Sequence, residues 1–452
     1  DQPGGVERSE RFLREAAEVA VRHGGSLSGE HGDGRARSEL LDVMYPPEAI
    51  ELFAAVKHLM DPQGILNPGN IVDPAPLTAD LRRPLARATG ERGFAFPHDG
   101  GDFTKAIHRC TGVAKCRADN SAAGGFMCPS YQATKDEKDS TRARARVLQE
   151  VTNGSLFYTW GSEEVRQSLD LCLGCKACSA DCPAGVDMSR YKSEALYRAY
   201  KGRLRPITDY VLGWLPRWGT LIKSVPGLAR LANVAFKVRP LTKAVLWVGG
   251  MDPRRKMITF ETDPLSRWWK RRGGSSSLEV DVEGAAGPDG VAAWGEQVES
   301  PAEGDLAATP GRGRYVVVWA DSFSQALDSD PARALVEFLE GLGYRVLLAP
   351  DDACCGLTWI TTGQLDGAKK RLAKLAGILG PLAVNGVPIV GVEPSCTGVL
   401  RDDILDLLPG DPRAEAIARA TRTLAELLAD PEVGPVGWEP RSLGGVEVVA
   451  QP

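Results

Sequence analysis

No stretch of this chain stays apolar for the ~18–20 residues that a helix needs to cross a bilayer, so no segment of it reads as a membrane-spanning helix. The start also lacks the charged-then-apolar pattern of an export signal. Neither sign of charge is in surplus: 54 Lys and Arg face 59 Asp and Glu, a net −5 with a pI near 5.8. That balance argues against a nucleic-acid binder. Cysteine is sparse, at 10 in 452 residues, and unevenly placed. Small secreted scaffolds instead spread their disulfides throughout the chain. The composition, 43% hydrophobic and 25% charged, is ordinary globular material, and the length suggests about three domains.

Seven of the cysteines fall between Cys110 and Cys182, and the others are Cys354, Cys355 and Cys396. Clustered thiols without an export signal point to metal or redox work in the cytoplasm. Both ends look cut. The chain opens at Asp1 on an amphipathic helix, and it closes on Val446–Ala450, which reads as a strand with nothing to complete it. A fragment with upstream chemistry is therefore expected.

Apolar periodicity predicts helices over 7–22 and 47–60, separated by the glycine-dense loop Gly29-Glu30-His31-Gly32-Asp33-Gly34. Residues 75–105 read as a connector and 106–200 as a helical segment holding the cysteine cluster. Residues 201–272 carry 16 Lys and Arg against 4 Asp and Glu. In that zone Trp214, Trp218, Leu221, Val225, Leu228 and Leu231 interleave with Arg217, Lys223 and Arg230. This pattern suits an interfacial helix on anionic lipid, a basic dock for an acidic electron carrier, or plain packing. Residues 273–312 reverse the charge and read as a flexible acidic linker. From 313 to 452, strands over 315–320, 344–349 and 388–393 alternate with helices over 330–340, 363–379, 397–408 and 412–429, which predicts a parallel sheet. The expected fold class is multidomain α+β and α/β.

The strongest motif is Cys172-x2-Cys175-x2-Cys178-x3-Cys182-Pro183. Three thiolates at this spacing grip three corners of one iron–sulfur cube, and the cysteine before proline turns to the other cluster of a two-cluster ferredoxin. A zinc site usually takes separated pairs of cysteines, and this run is too compact for that. A second run is present in altered form: Cys110-x5-Cys116, then Cys128-Pro129, with Val113 at the middle position. Cross-ligation assigns Cys128 to the cluster of Cys172, Cys175 and Cys178, and Cys182 to that of Cys110 and Cys116. The first is expected to be [4Fe–4S]. The second lacks one thiolate, so it is [3Fe–4S], or [4Fe–4S] with a non-cysteine ligand.

Gly29-Glu30-His31-Gly32, followed after a helix by Asp61-Pro62-Gln63-Gly64-Ile65-Leu66-Asn67-Pro68-Gly69, resembles the C-terminal end of FAD-linked oxidases. That family includes D-lactate and D-2-hydroxyglutarate dehydrogenases. The cysteine module is similar to the iron–sulfur extension fused to one bacterial branch of it. The resemblance implies that 1–74 ends a substrate domain whose FAD-binding domain lies upstream. It implies that His31 is the catalytic base for a 2-hydroxy acid, with D-2-hydroxyglutarate the first expectation and D-lactate the second. It also implies that Glu30 is one ligand of a divalent metal such as zinc, and that Gly29, Gly32 and Asn67 lie near the flavin. The acceptor would be a quinone or an electron-carrier protein. The protein would be a homo-oligomer in the cytoplasm, or peripheral at the inner face of the membrane. A rival reading is an electron-transfer subunit without catalysis of its own. Cys354-Cys355-Gly356 and Glu393-Pro394-Ser395-Cys396 resemble the cysteine-rich CCG domain of heterodisulfide reductase subunits. Asp321 and Val399 stand where that pattern has cysteines, so a further cluster and a simpler redox site both stay open.

Overall fold

The computed structural model describes residues 4–81, 86–87, 89–90, 93–120, 122, 124–154, 156, 159–273, 315–435, 438–439 and 444. The linker expected over 273–312 lies, apart from Gly273, outside the described residues, and so does the strand expected over 446–450. The chain divides into two compact units, Asp1–Arg87 and Ala88–Pro452.

In the first unit the helix expected over 7–22 runs Gly5–Arg22, and that over 47–60 runs Pro47–Met60, with proline in its first turn. The first helix buries only Ala17, leaving Phe12, Leu13 and Val19 exposed. Asp61 closes the second helix. Its carboxylate accepts the N–H groups of Ile65 (3.0 Å) and Leu66 (2.8 Å) and pairs with Lys57. These bonds, Lys57 first, hold Asp61 down to about 2.

In the second unit β1 (Tyr315–Trp319), β2 (Arg345–Leu348), β3 (Ile389–Gly391) and β4 (Thr421–Arg422) form a parallel sheet in the order β2-β1-β3-β4. Val316 to Trp319 are all fully buried, as expected of a central strand covered on both faces. Strand alternation gives each face its own core. Val317 and Trp319 join the core that contains Phe94, Phe103, Tyr191 and the cysteine segment. Val316 and Val318 join Leu265, Trp269, Val336 and Leu339. The sheet and the cysteine segment therefore share one continuous core. Glu194, on the helix Met188–Tyr200 after the cysteine run, anchors the segment before it: its buried carboxylate accepts Gly93 N–H (3.1 and 2.9 Å) and Phe94 N–H (2.9 Å). A Cβ at Gly93 would meet Leu365 Cδ1 at 2.0 Å and Glu194 Oε2 at 2.8 Å, so a side chain there would have to push both aside.

Some expected bounds shift. The helix expected over 363–379 spans Leu365–Val384. That expected over 397–408 starts at Pro394, with Glu393 as its cap, and passes through a π-helical turn at Val399–Asp403. The single helix expected over 412–429 is two, Pro412–Ala420 and Leu424–Ala429, parted by β4. β-Branched Thr421 pairs with Ile389, and Thr423 restarts the helix through a capping box with Glu426.

Candidate functional site

The two cysteine loops adopt one backbone pattern. In 172–178, Gly174 (φ 66°) and Lys176 (φ 60°) are left-handed; in 110–116, Gly112 (φ 87°) and Ala114 (φ 65°) are left-handed at the equivalent places. Alanine and lysine in that region are strained by about 1–2 kcal/mol, so the surrounding fold must enforce it. Val113 thus occupies the position in its loop that Cys175 occupies in the other. Both side chains are exposed.

The structure brings Cys128, Cys172, Cys175 and Cys178 together around one pocket. Cys110, Cys116 and Cys182 line a second pocket, with Val113 on its wall. Met127 and Thr141 line both, so the pockets are neighbours. Cys128 caps the helix Pro129–Thr134 and Cys182 follows the helix Ala177–Asp181, so each Cys-Pro cysteine points away from its own run. A single zinc ion, with Zn–S near 2.3 Å, needs sulfurs within about 4 Å of one another. Among the described residues no group of three His, Cys, Asp or Glu side chains is placed to hold one ion. Four thiols around one pocket and three around its neighbour are the donor set of two adjoining clusters.

The sulfurs already accept hydrogen bonds. Met188 N–H donates to Cys178 Sγ (3.2 Å) and Arg142 N–H to Cys116 Sγ (3.4 Å). Burial pushes the Cys116 thiol up, and Cys178 up to about 12. A bound cluster would supply the positive charge that offsets this. Cys128 differs. Burial pushes it up, but the hydroxyls of Ser130 and Thr141 and the Arg144 guanidinium outweigh that and bring it down.

Arg144 escaped the sequence reading. It is 1% exposed, and it donates to Cys128 Sγ (3.5 Å), Ser130 Oγ (3.0 Å) and the Ser168 carbonyl (2.9 Å), with Asp139 at 4.0 Å. Its one signal is an arginine on the face of Thr141–Asn153 that also carries buried Thr141, Ala145 and Leu148. A second missed group is Lys176, within the Cys172 loop, whose ammonium meets Asp402 and Asp403 at 2.6 Å each. Arg190 pairs with Asp402 and Asp406. Burial pushes Asp403 and Asp406 up. Burial also opposes the ionisation of Asp402, but Lys176 and Arg190 outweigh it and hold Asp402 down. These pairs tie the thiol loop to the π-helical turn that follows Cys396.

Cys354, Cys355 and Cys396 are buried at the C-terminal edge of the sheet, where ligands of such sheets gather. Cys355 is hydrogen-bonded to both of the others. Its bond with Cys355, then burial, pushes Cys354 well above the thiol range. For Cys396 the bond with Cys355 works downward, but burial, Asp321 and Glu393 outweigh it and carry the thiol up to about 11. Asp321, at the first departure from the CCG pattern, caps the helix Ser322–Ala326 instead of facing a metal.

Glu30 and His31 sit on an exposed bend, and Gly29 and Gly32 have nothing within 4 Å of a built Cβ, so the backbone there is open to an incoming group. Asn67 is exposed and left-handed (φ 48°). Ile71 N–H donates to Ser38 Oγ (2.9 Å), which holds the turn after Asn67 beside the segment that follows the Glu-His loop. The structure does not bring Glu30 into a group with other metal ligands among the described residues.

Residues 1–71 match the family described as FAD linked oxidases, C-terminal domain, and residues 105–186 match the 4Fe-4S dicluster domain. The D-2-hydroxyglutarate dehydrogenase of Pseudomonas putida is 29% identical over 433 residues, covering 86% of this chain and 38% of that protein. The D-2-hydroxyglutarate dehydrogenase of Escherichia coli is 26% identical, covering 93% and 42%. The D-lactate dehydrogenase of Archaeoglobus fulgidus is 43% identical over 61 residues, covering 14% of each chain. No solved structure matches. The chain spans about two fifths of the length of its long-matching relatives. It is thus similar to the C-terminal domain of FAD linked oxidases over residues 1–71 and to a 4Fe-4S dicluster domain over residues 105–186.

Proposed function

We propose that this chain works as the C-terminal part of a flavin- and iron–sulfur-dependent dehydrogenase of D-2-hydroxy acids. The favoured substrate is D-2-hydroxyglutarate, giving 2-oxoglutarate, with D-lactate second. The observation that carries the reading is the presence, in one chain, of an open Glu-His loop and two adjoining thiol-lined pockets. Cys128, Cys172, Cys175 and Cys178 would hold [4Fe–4S], and Cys110, Cys116 and Cys182 a three-thiolate cluster. Bound FAD would supply a two-electron acceptor for the hydride of C2, and clusters held by these cysteines would pass electrons singly toward a quinone or a carrier protein. His31 takes the hydroxyl proton as the hydride leaves, and Glu30 orients the acid, through a divalent metal if other residues complete its ligands. Residues 313–452 are assigned to a CCG-type domain whose three thiols form a redox site.

A positioned general base contributes about 10²–10⁴-fold. His31→Ala in the complete protein is therefore expected to slow flavin reduction by substrate at least ~100-fold. Iron content and dithionite reduction of the clusters should not change. Stopped-flow reduction at the unaltered rate would remove His31 from the reaction.

A further inference from the structure

We infer that the helices of 215–248 form a docking face for an anionic lipid surface. Three short helices succeed one another: Leu215–Ser224, Leu228–Ala235 and Arg239–Val248. Each buries a small or narrow face, the first through Pro216 and Gly219, the second through Ala229, the third through Thr242 and Leu246. Gly219 lies so near the helix Ser322–Ala326 that a Cβ there would stand 2.7 Å from Ala326 Cβ, which seats the first helix against the sheet domain.

The opposite faces carry large apolar side chains at helical spacing. They are Trp218, Leu221 and Val225 along the first helix and its end, then Leu231, Val234 and Val238 along the second. Leu241, Trp247 and Val248 follow on the third, with Trp247 73% exposed and Leu231 66%. Large apolar side chains exposed on three successive helices call for a covering surface, whereas single exposed ones need no explanation.

Charge selects the occupant. Between Asp209 and Asp252 the chain has six basic residues and no acidic one. Of these, Arg230, Lys237, Arg239 and Lys243 are exposed and make no ion pair among the described residues. A second copy of the same face would bring like charges together, whereas phosphate head groups beside acyl chains satisfy both the cations and the apolar stripes. No described helix is long and apolar enough to cross a membrane, so the contact lies in the interface plane.

Vesicle binding needs neither flavin nor substrate, so this inference and the dehydrogenase reading fail separately. The test is co-flotation of the cluster-loaded full chain with vesicles of equal parts phosphatidylglycerol and phosphatidylcholine, beside phosphatidylcholine alone. Binding to the anionic vesicles only, weakened by salt, is expected. Lys237→Gln with Lys243→Gln should lower partitioning about thirtyfold. Trp247→Ser with Leu231→Ser should lower it at least about tenfold. Unchanged iron content will show that the variants fold. Equal binding to both vesicles, no binding to either, or a self-associated form that Trp247→Ser dissociates would overturn the inference.

Discussion

Removing the guanidinium that stands on Cys128 should lower the reduction potential of the cluster proposed for that pocket. Arg144 lies 3.5 Å from Cys128 Sγ inside a core where it is 1% exposed. A unit charge some 6 Å from the cluster centre interacts by about 2–3 kcal/mol at an effective dielectric near 20. For one electron that corresponds to about 100 mV, because a tenfold change is about 59 mV. Arg144→Met keeps the shape of the side chain and removes both the charge and the N–H···S bond. The reduced, more negative cluster loses most, so the midpoint falls by about 100 mV.

Folding must be separated from redox. Asp139 is 1% exposed and has Arg144 at 4.0 Å. Stripping one partner from a buried pair costs about 3–5 kcal/mol, so Arg144→Met alone will fold poorly. Adding Asp139→Asn removes the orphaned charge and should restore much of that stability. It also removes a carboxylate that had been lowering the potential, so the drop should shrink by roughly half. The assay is an EPR-monitored redox titration of both variants beside the parent protein. A variant with full iron and sulfide content and an unmoved or higher midpoint would refute the reasoning.

The matched loops make a second prediction. Val113 stands where Cys175 stands in the other loop and is 67% exposed, so Val113→Cys should fit without repacking. Iron should rise from about seven to about eight atoms per chain, with loss of the EPR signal of an oxidised three-iron cluster; an unchanged signal would mean that the fourth corner is closed by another group. The pockets also predict an exchange. Cys182→Ser should damage the cluster of Cys110 and Cys116 while sparing that of its own run, and Cys128→Ser should damage the cluster of Cys172. Mössbauer spectra of the two variants with the opposite assignment would defeat cross-ligation.

Several elements were legible in the sequence because their causes are local. Apolar spacing and turn residues placed the helices Gly5–Arg22 and Pro47–Met60, and an unbroken Val-Val-Val-Trp run placed the buried central strand. The close spacing of cysteines and glycines determines the shape of both thiol loops, since a chain that must return within three residues has few routes. The break at Thr421 was missed: the Thr423–Glu426 capping box marks it, but the helical spacing on either side masked it.

What only the tertiary structure decided involves partners far apart in the chain. Arg144, Glu194 and the Lys176–Asp403 pair could not be read in advance, because a charged residue in a sequence looks solvated until the fold buries it with its partner. The same holds for the two faces of β1. Alternation shows that Val316 and Val317 point opposite ways, but not that one meets Trp269 and the other the cysteine core. Local spacing shapes a loop, whereas burial and charge pairing depend on which distant surfaces the chain brings together.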